Sequence, residues 1–173
     1  LGEFMFDKQY IIDKITTGED SEIEFKRVII QGNRVIDPNT ESISAEINAF
    51  ANGAGGYILL GVSDNKEIIG FSEIESKLAE EWILNICQNN CKPPIRPNVY
   101  KMLLPDKNNN EVLILCVRII KSIDVHQTSG GRYYIRSGSI KVDLTSQELS
   151  RLFHQRRIGF PFDEQLVFNA QLT

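Results

Sequence analysis

The chain has 173 residues, of which 42% are hydrophobic and 24% are charged, and its formal net charge is −4 at pH 7. This composition is typical of a folded globular domain and excludes disordered and fibrous proteins, while the length suits a single core. No apolar run approaches the roughly 20 residues needed to cross a bilayer, so we expect no membrane partner. The three cysteines lack a CxxC pair, which indicates a reducing compartment, and we expect a cytoplasmic location.

Both termini differ from the rest of the chain. Residues 1–4 precede Met5 and are interpreted as a cloning remnant. We predict one domain over residues 5–157. Residues 158–173 have no clear period and are interpreted as the start of a connection to a missing C-terminal region.

Hydrophobic periodicity predicts the helices and strands between these termini. Helices are expected where apolar residues recur every three or four positions, and strands where they alternate or run together. The predicted helices cover residues 8–15, a segment from Thr40 or Ser42 to about Asn52, a segment from Ser72 to the Asn and Pro cluster at 89–97, and a final segment from Thr145. The predicted strands cover residues 21–26, 57–62, 99–104, 111–119 and 132–136.

Turn residues and capping motifs mark the boundaries of these elements. Gly, Asn and Pro in residues 31–40 predict a loop, and residues 105–110 predict a hairpin connection between two strands. Capping boxes at Ser72 and Thr145 predict helix starts. Because strands and helices do not alternate strictly, we expect a mixed sheet in an α+β domain rather than a doubly wound fold.

The cysteines have two interpretations. Cys87 and Cys91 would need His126 or His154 to complete a zinc site, yet structural zinc sites favour more closely spaced ligand pairs. We therefore interpret Cys87, Cys91 and Cys116 as buried thiols.

Three carboxylates occupy positions from which they can converge. Glu24 lies on the polar side of the first predicted strand, Glu19 precedes that strand at a turn, and Asp64 follows the apolar strand at 57–62. If these strands are neighbours, the carboxylates can share Mg²⁺ or Mn²⁺, which prefer oxygen ligands. Lys26 shares the face of Glu24 and is suited to orient water or offset charge on a phosphate. The same pattern also suits a solvated strand face.

The basic residues are concentrated late in the chain. Residues 130–157 contain six Lys or Arg and two Asp or Glu. Arg132, Tyr134 and Arg136 alternate on one strand and are expected to share a face, where guanidinium groups bind phosphate and a ring stacks on a base. A solvated edge strand and an ordinary basic helix end are the alternative interpretation. The residues expected to extend the basic patch are Lys141, Arg151, Arg156 and Arg157.

Three motifs together resemble a known family. They are Glu-Asp-Ser-Glu-Ile-Glu-Phe-Lys at 19–26, the segment from Ala49 to Asp64, and Tyr-Ile-Arg-Ser-Gly-Ser at 134–139. In this order they resemble the Schlafen-type AlbA-like domain, which is found in bacterial transcription regulators and divergent AAA proteins. The resemblance implies a two-layer α/β sandwich and a DNA-binding role.

The resemblance also implies a second activity. In the Schlafen branch, similar domains act as RNA endonucleases through three carboxylates, and the corresponding positions here are Glu19, Glu24 and Asp64. The Schlafen nucleases pair two such lobes and carry zinc ligands, whereas this chain has one lobe without those ligands. A homodimer would supply the second lobe.

Three functional hypotheses follow. The leading one is a nucleic-acid-binding domain of a larger bacterial protein, which contacts phosphates of DNA or RNA through the basic patch. The alternative is a metal-dependent nuclease with Glu19, Glu24 and Asp64 as Mg²⁺ or Mn²⁺ ligands and Lys26 at the scissile phosphate. A protein-interaction module that binds no nucleic acid is the third.

Overall fold

The computed structural model describes residues 8–158. The predicted cloning remnant at 1–4 and nearly all of the predicted connection at 158–173 lie outside the described residues. The helices are α1 (Lys8–Thr17), α2 (Thr40–Asn52), α3 (Glu73–Asn89) and α4 (Ser146–Ile158). The strands are β1 (Ile23–Lys26), β2 (Ile29–Gln31), β3 (Arg34–Asp37), β4 (Gly55–Leu60), β5 (Cys91–Lys92), β6 (Asn98–Pro105), β7 (Glu111–Ile120), β8 (Gln127–Thr128), β9 (Tyr134–Ser137) and β10 (Ile140–Asp143).

The central sheet has four strands in the order β1-β4-β7-β6. Strand β1 runs parallel to β4, whereas β7 is antiparallel to both β4 and β6. The predicted α+β class with a mixed sheet is therefore confirmed. Helices α2 and α3 pack on one face of the sheet, and α1 covers the other face. The predicted two-layer sandwich did not include α1 on that second face.

Alternation along β1 sends its charged residues toward α2. Ile23 and Phe25 pack with α1 on one face of the sheet. Glu24 pairs in register with Ile58, which packs against α2 on the opposite face. Since residues directly paired across strands share a face, Glu24 points to the α2 side of the sheet. This places a carboxylate beneath a helix rather than in solvent.

The predicted loop at 31–40 is wrong in part, because it contains most of a hairpin. Strands β2 and β3 are joined by the two-residue turn Gly32-Asn33, with φ angles of 55° and 62°. Positive φ at both central residues is typical of the tight hairpin turn that matches strand twist. Gly and Asn are common in loops for the same conformational reason, so composition alone did not separate the two structures.

The C-terminal part of the chain packs on α2. Asn52 is buried at the end of α2, where its Nδ2 donates to the carbonyl oxygens of His126 and Tyr134, each at 2.9 Å. Arg156 of α4 donates from Nη2 to the Asn52 carbonyl oxygen at 2.7 Å. A guanidinium at the carboxyl end of a helix satisfies its last carbonyls and complements the helix dipole. These contacts fix the β9–β10 hairpin and α4 against α2.

Burial tests the interpretation of the three cysteines. Cys87, Cys91 and Cys116 are free and buried, which confirms their interpretation as buried thiols. Burial raises the pKa of each thiol, that of Cys91 and of Cys116 to about 12.

Within residues 8–158, no helix combines the length and apolar character that crossing a membrane requires.

Gly56, the second residue of β4, is required by close packing. A Cβ atom at Gly56 would lie 2.6 Å from the Glu22 carbonyl oxygen and 2.5 Å from Cδ1 of the Phe50 ring. We predict that Gly56→Ala lowers the free energy of unfolding by about 1–3 kcal/mol, as overpacking does. Urea denaturation measures this change. Gly130→Ala is the matched control, because its Cβ would approach the Glu41 carboxylate no closer than 3.5 Å, an ordinary van der Waals distance; equal losses for both variants would contradict the packing argument.

Candidate functional site

The outer edge of β1 is closed by side chains. In a parallel strand, alternate peptide groups point away from the partner strand and need other hydrogen-bond partners. The Phe25 N–H donates to Glu19 Oε1 at 2.8 Å, and the Ile23 N–H donates to Asp20 Oδ1 at 3.1 Å. Arg136 Nη2 donates to the Ile23 carbonyl oxygen at 3.0 Å. Glu19, Asp20 and Arg136 therefore stabilise an edge that would otherwise be available to another strand.

Glu24 is a buried carboxylate with two cationic partners. Its side chain is 7% exposed. Oε1 accepts a hydrogen bond from Lys26 Nζ at 2.6 Å, and Oε2 accepts one from Arg136 Nη2 at 2.9 Å. Burial of a carboxylate is costly unless it is paired and hydrogen-bonded, and both of its oxygens are engaged here.

A second buried carboxylate, Glu46 of α2, was not found from the sequence. Its Oε2 accepts from Arg136 Nη1 at 3.2 Å, and its Oε1 accepts from Lys141 Nζ at 2.9 Å. Lys26 Nζ lies 4.0 Å from the same Oε1. Every residue of α2 from Ile43 to Asn52 is buried. The sequence carries no signal for this pairing, because Glu41, Ser44, Asn48 and Asn52 resemble the polar side of a surface helix. Their side of α2 is covered by strands that are distant in the sequence, β8, β9 and β10.

Arg136 connects these acids. Its side chain is 4% exposed, and it also donates to the Asp20 carbonyl oxygen from Nη2 at 2.8 Å. The guanidinium carbon lies 4.5 Å from the centroid of the Phe50 ring, a cation–π contact. We call the following five residues the Arg136 cluster: Glu24, Lys26, Glu46, Arg136 and Lys141. The cluster contains three cations and two carboxylates, and the two lysines form its partly exposed side.

The three carboxylates predicted as metal ligands are near one another but do not form a ligand set. Burial raises the pKa of Glu19; the Phe25 N–H opposes this, and the charges of Glu24 and Asp64 add to it. Asp64 is exposed in the turn after β4. Across residues 8–158, no three His, Cys, Asp or Glu side chains are grouped so that they could hold a metal ion. Because both oxygens of Glu24 already bind cationic side chains, these residues do not fit the metal that the family resemblance implies.

Lys26, the predicted helper at a scissile phosphate, is held within the Arg136 cluster. Burial disfavours its charge, but its bond to Glu24 and the nearby charges of Glu46 and Glu19 outweigh this effect and raise its pKa. The ammonium group is therefore charged and directed to carboxylates in this structure.

The predicted basic patch is only partly on the surface. Arg136 and Arg156 are turned inward, to the carboxylates of the Arg136 cluster and to the last carbonyls of α2, respectively. The expected exposed face shared by Arg132, Tyr134 and Arg136 is therefore wrong for Arg136, because its side of the hairpin meets Glu24 and Glu46. Lys141 is partly buried against Glu46, and Tyr134 is half-buried. The exposed members are Arg132, Arg151 and Arg157.

Comparisons with known proteins identify relatives of this chain. The family model described as Schlafen, AlbA_2 matches residues 19–145. An uncharacterized ATP-binding protein of Ureaplasma parvum serovar 3 is 29% identical over 106 residues, which are 59% of this chain and 28% of that protein. A crystal structure of a Corynebacterium diphtheriae protein aligns with a TM-score of 0.58 and 14% identity, covering 90% of this chain and 32% of that one. At this identity the structural match shows the fold alone, and both relatives are much longer than the matched region.

Removal of Arg136 tests the energetic role of the cluster. Arg136→Ala leaves Glu24 and Glu46 buried with fewer cationic partners, and breaking a buried ion pair costs about 3–5 kcal/mol. We predict a loss of this size in the free energy of unfolding, measured by urea denaturation. Arg132→Ala is the matched control, since an exposed arginine on the same segment should change stability by less than about 0.5 kcal/mol. Similar losses for the two variants would show that Arg136 is not a buried anchor.

The raised pKa of Glu19 predicts a pH dependence of stability. A carboxyl group whose pKa is higher in the folded state than in the unfolded state stabilises the fold at low pH, and this contribution is lost as the pH rises through the folded pKa. Glu19→Gln keeps an oxygen that accepts from the Phe25 N–H and removes the charge. We expect this variant to be at least as stable as the wild type at neutral pH, with a smaller advantage at acidic pH.

Urea denaturation across this pH range measures the effect of Glu19→Gln. The exposed Glu81→Gln on α3 is the control and should show no such pH-dependent difference. Lower stability of Glu19→Gln at neutral pH would mean that the carboxylate, rather than its oxygen alone, is needed at the β1 edge.

Proposed function

The chain belongs to the Schlafen AlbA_2 family, and from this we propose that it is a nucleic-acid-binding domain of a larger protein. Membership in this family supports a nucleic-acid-related role for the domain. The chain spans 28% of the Ureaplasma parvum protein and 32% of the Corynebacterium diphtheriae protein, so the proposal concerns this domain and not the activity of a whole protein. Within the domain, the proposed ligand is the phosphate backbone of DNA or RNA.

The observation that carries this proposal is the exposure of three arginines in the segment that contains the β9–β10 hairpin and α4. We define the basic surface by three exposed arginines, Arg132 before β9 and Arg151 and Arg157 on α4. Asp143 Oδ2 lies 3.9 Å from Arg132 Nη1, but both side chains are more than 60% exposed. Their attraction is therefore weak, and a phosphate can compete with it. Guanidinium groups bind phosphate oxygens through paired hydrogen bonds.

Packing holds the two parts of the basic surface in a fixed arrangement. The Tyr133 and Phe153 rings meet edge to face with centroids 6.1 Å apart, which joins the hairpin segment to α4. The Leu144 N–H donates to the Tyr133 carbonyl oxygen at 2.9 Å. A fixed spacing of cations reduces the entropy lost when they bind a polyanion.

Lys141 is a further contact at the margin of the basic surface. It is bound to Glu46, and its side chain is 28% exposed. Its ammonium group has three donors, so binding to Glu46 leaves the capacity to contact a phosphate as well. Phosphate contacts carry no base preference, and the proposal therefore extends to DNA and RNA without a defined sequence.

The nuclease hypothesis stays a prediction, with Glu19, Glu24, Asp64 and Lys26 as its residues. The engaged oxygens of Glu24 give no support to a metal-dependent step in this arrangement. Incubation of labelled DNA and RNA with Mn²⁺ distinguishes the hypotheses: binding without cleavage favours the proposed function. Cleavage that Glu24→Gln abolishes would instead establish the nuclease. Light scattering during the same experiments tests the predicted homodimer.

Substitution of the basic surface tests the proposed function. The triple variant Arg132→Ala, Arg151→Ala, Arg157→Ala should weaken binding to duplex DNA and flatten its salt dependence. The slope of log affinity against log salt should become shallower by about 0.9 for each phosphate that the variant no longer neutralises. Fluorescence anisotropy over a salt series measures both quantities.

The control for this experiment is Lys77→Ala, which removes an exposed cation from α3. This variant should retain the wild-type affinity and salt slope. An unchanged slope in the triple variant would show that the basic surface is not the binding site. No binding of the wild type to any DNA or RNA at low salt would leave the protein-interaction hypothesis in its place.

A further inference from the structure

Arg136 bridges two carboxylates from different elements, in the manner of a divalent cation. Its Nη2 and Nη1 lie 2.9 Å and 3.2 Å from one oxygen each of Glu24 and Glu46. The other oxygen of each glutamate contacts an ammonium group, Lys26 for Glu24 and Lys141 for Glu46. All four carboxylate oxygens therefore have a cationic partner.

The position of the guanidinium disfavours coordination of a metal ion by the same two carboxylates. Mg²⁺ requires oxygen ligands at about 2.0–2.1 Å in near-octahedral geometry. In the Arg136 cluster every carboxylate oxygen has a cationic nitrogen donor at hydrogen-bond distance, so a metal ion would either be repelled by these cations or have to displace one of them. Arg136 is the hardest to displace, because it is buried and also binds the Asp20 and Ile23 carbonyl oxygens and the Phe50 ring.

The surrounding acids do not alter this conclusion. Glu19 binds the Phe25 N–H at the edge of β1, and Asp64 is exposed in the turn after β4. Neither belongs to a group of three potential ligands within residues 8–158.

We propose that Arg136 takes the place between Glu24 and Glu46 that a divalent cation would occupy, so that this carboxylate site is closed by the chain's own guanidinium. The family resemblance pointed to Glu24 as a metal ligand, and the cluster gives this residue a different partner. The proposal concerns the folded chain itself and is independent of whether the basic surface binds nucleic acid.

Thermal unfolding with and without Mn²⁺, at matched ionic strength, tests the proposal on the 173-residue chain. The wild type should show the same Tm in both conditions. Arg136→Ala should have a lower Tm without Mn²⁺, and saturating Mn²⁺ should raise it by about 4 °C or more, since a ligand that binds only the folded state stabilises it. A Mn²⁺-induced rise in the wild type, or no response in Arg136→Ala, would overturn the proposal.

Two further variants separate metal binding from general stabilisation. Arg156→Ala removes another inward guanidinium, which contacts carbonyl oxygens at the end of α2 and, among residues 8–158, no carboxylate; this variant should lose stability without a response to Mn²⁺. Arg136→Ala combined with Glu24→Gln should lose the Mn²⁺ response of the single variant. A Mn²⁺ response in either variant would contradict a site made by Glu24 and Glu46.

A milder variant provides the same test if Arg136→Ala does not fold. Arg136→Lys keeps one positive charge but contacts fewer carboxylate oxygens than the guanidinium fork, and the same rise in Tm with Mn²⁺ is expected. If both variants fail to fold, the wild-type titration decides: an unchanged Tm supports the proposal and a raised Tm refutes it. Binding of DNA or RNA by the wild type should also be equal in EDTA and in Mg²⁺, and loss of binding in both conditions would refute the proposed function alone.

Discussion

The bridge from Arg136 to Glu24 and Glu46 is the interaction on which the arrangement of the site depends. One guanidinium joins β9 to β1 and α2, through glutamates that lie 112 and 90 residues earlier in the sequence, and it also binds the backbone at the edge of the sheet. Two buried glutamates would oppose folding without it, because each carries a charge that has left water. The contact that stabilises the β9–β10 hairpin therefore also allows β1 and α2 to carry buried glutamates beneath that hairpin.

This constraint separates two classes of basic residue in the C-terminal segment. Arg136 and Arg156 satisfy internal acceptors, whereas Arg132, Arg151 and Arg157 are exposed. A count of charges by sequence treats all five alike and overstates the surface that a polyanion can reach. The inward arginines still contribute to the proposed function, because they fix the elements that display the exposed ones.

Much of the fold was predictable from sequence because its signals are local. The apolar stripes of α2 and α3, the capping boxes at Ser72 and Thr145, and the apolar run of β4 each depend on residues within one element. The site was less predictable because its contacts are distant: Glu46 and Arg136 are 90 residues apart. Alternation placed Glu24 on the face opposite Ile23 correctly, but it gave no information on whether that face meets water or a second acid.

The contact between Arg156 and α2 affects where this domain can be divided. The family model ends at residue 145, before α4 begins, yet Arg156 covers the carbonyl end of α2 and Leu152 is buried. A polypeptide shortened to residue 145 would lose the Arg156 donor to the Asn52 carbonyl oxygen and uncover the apolar surface beneath Leu152. The packed domain of this chain therefore extends beyond the region that the family model matches.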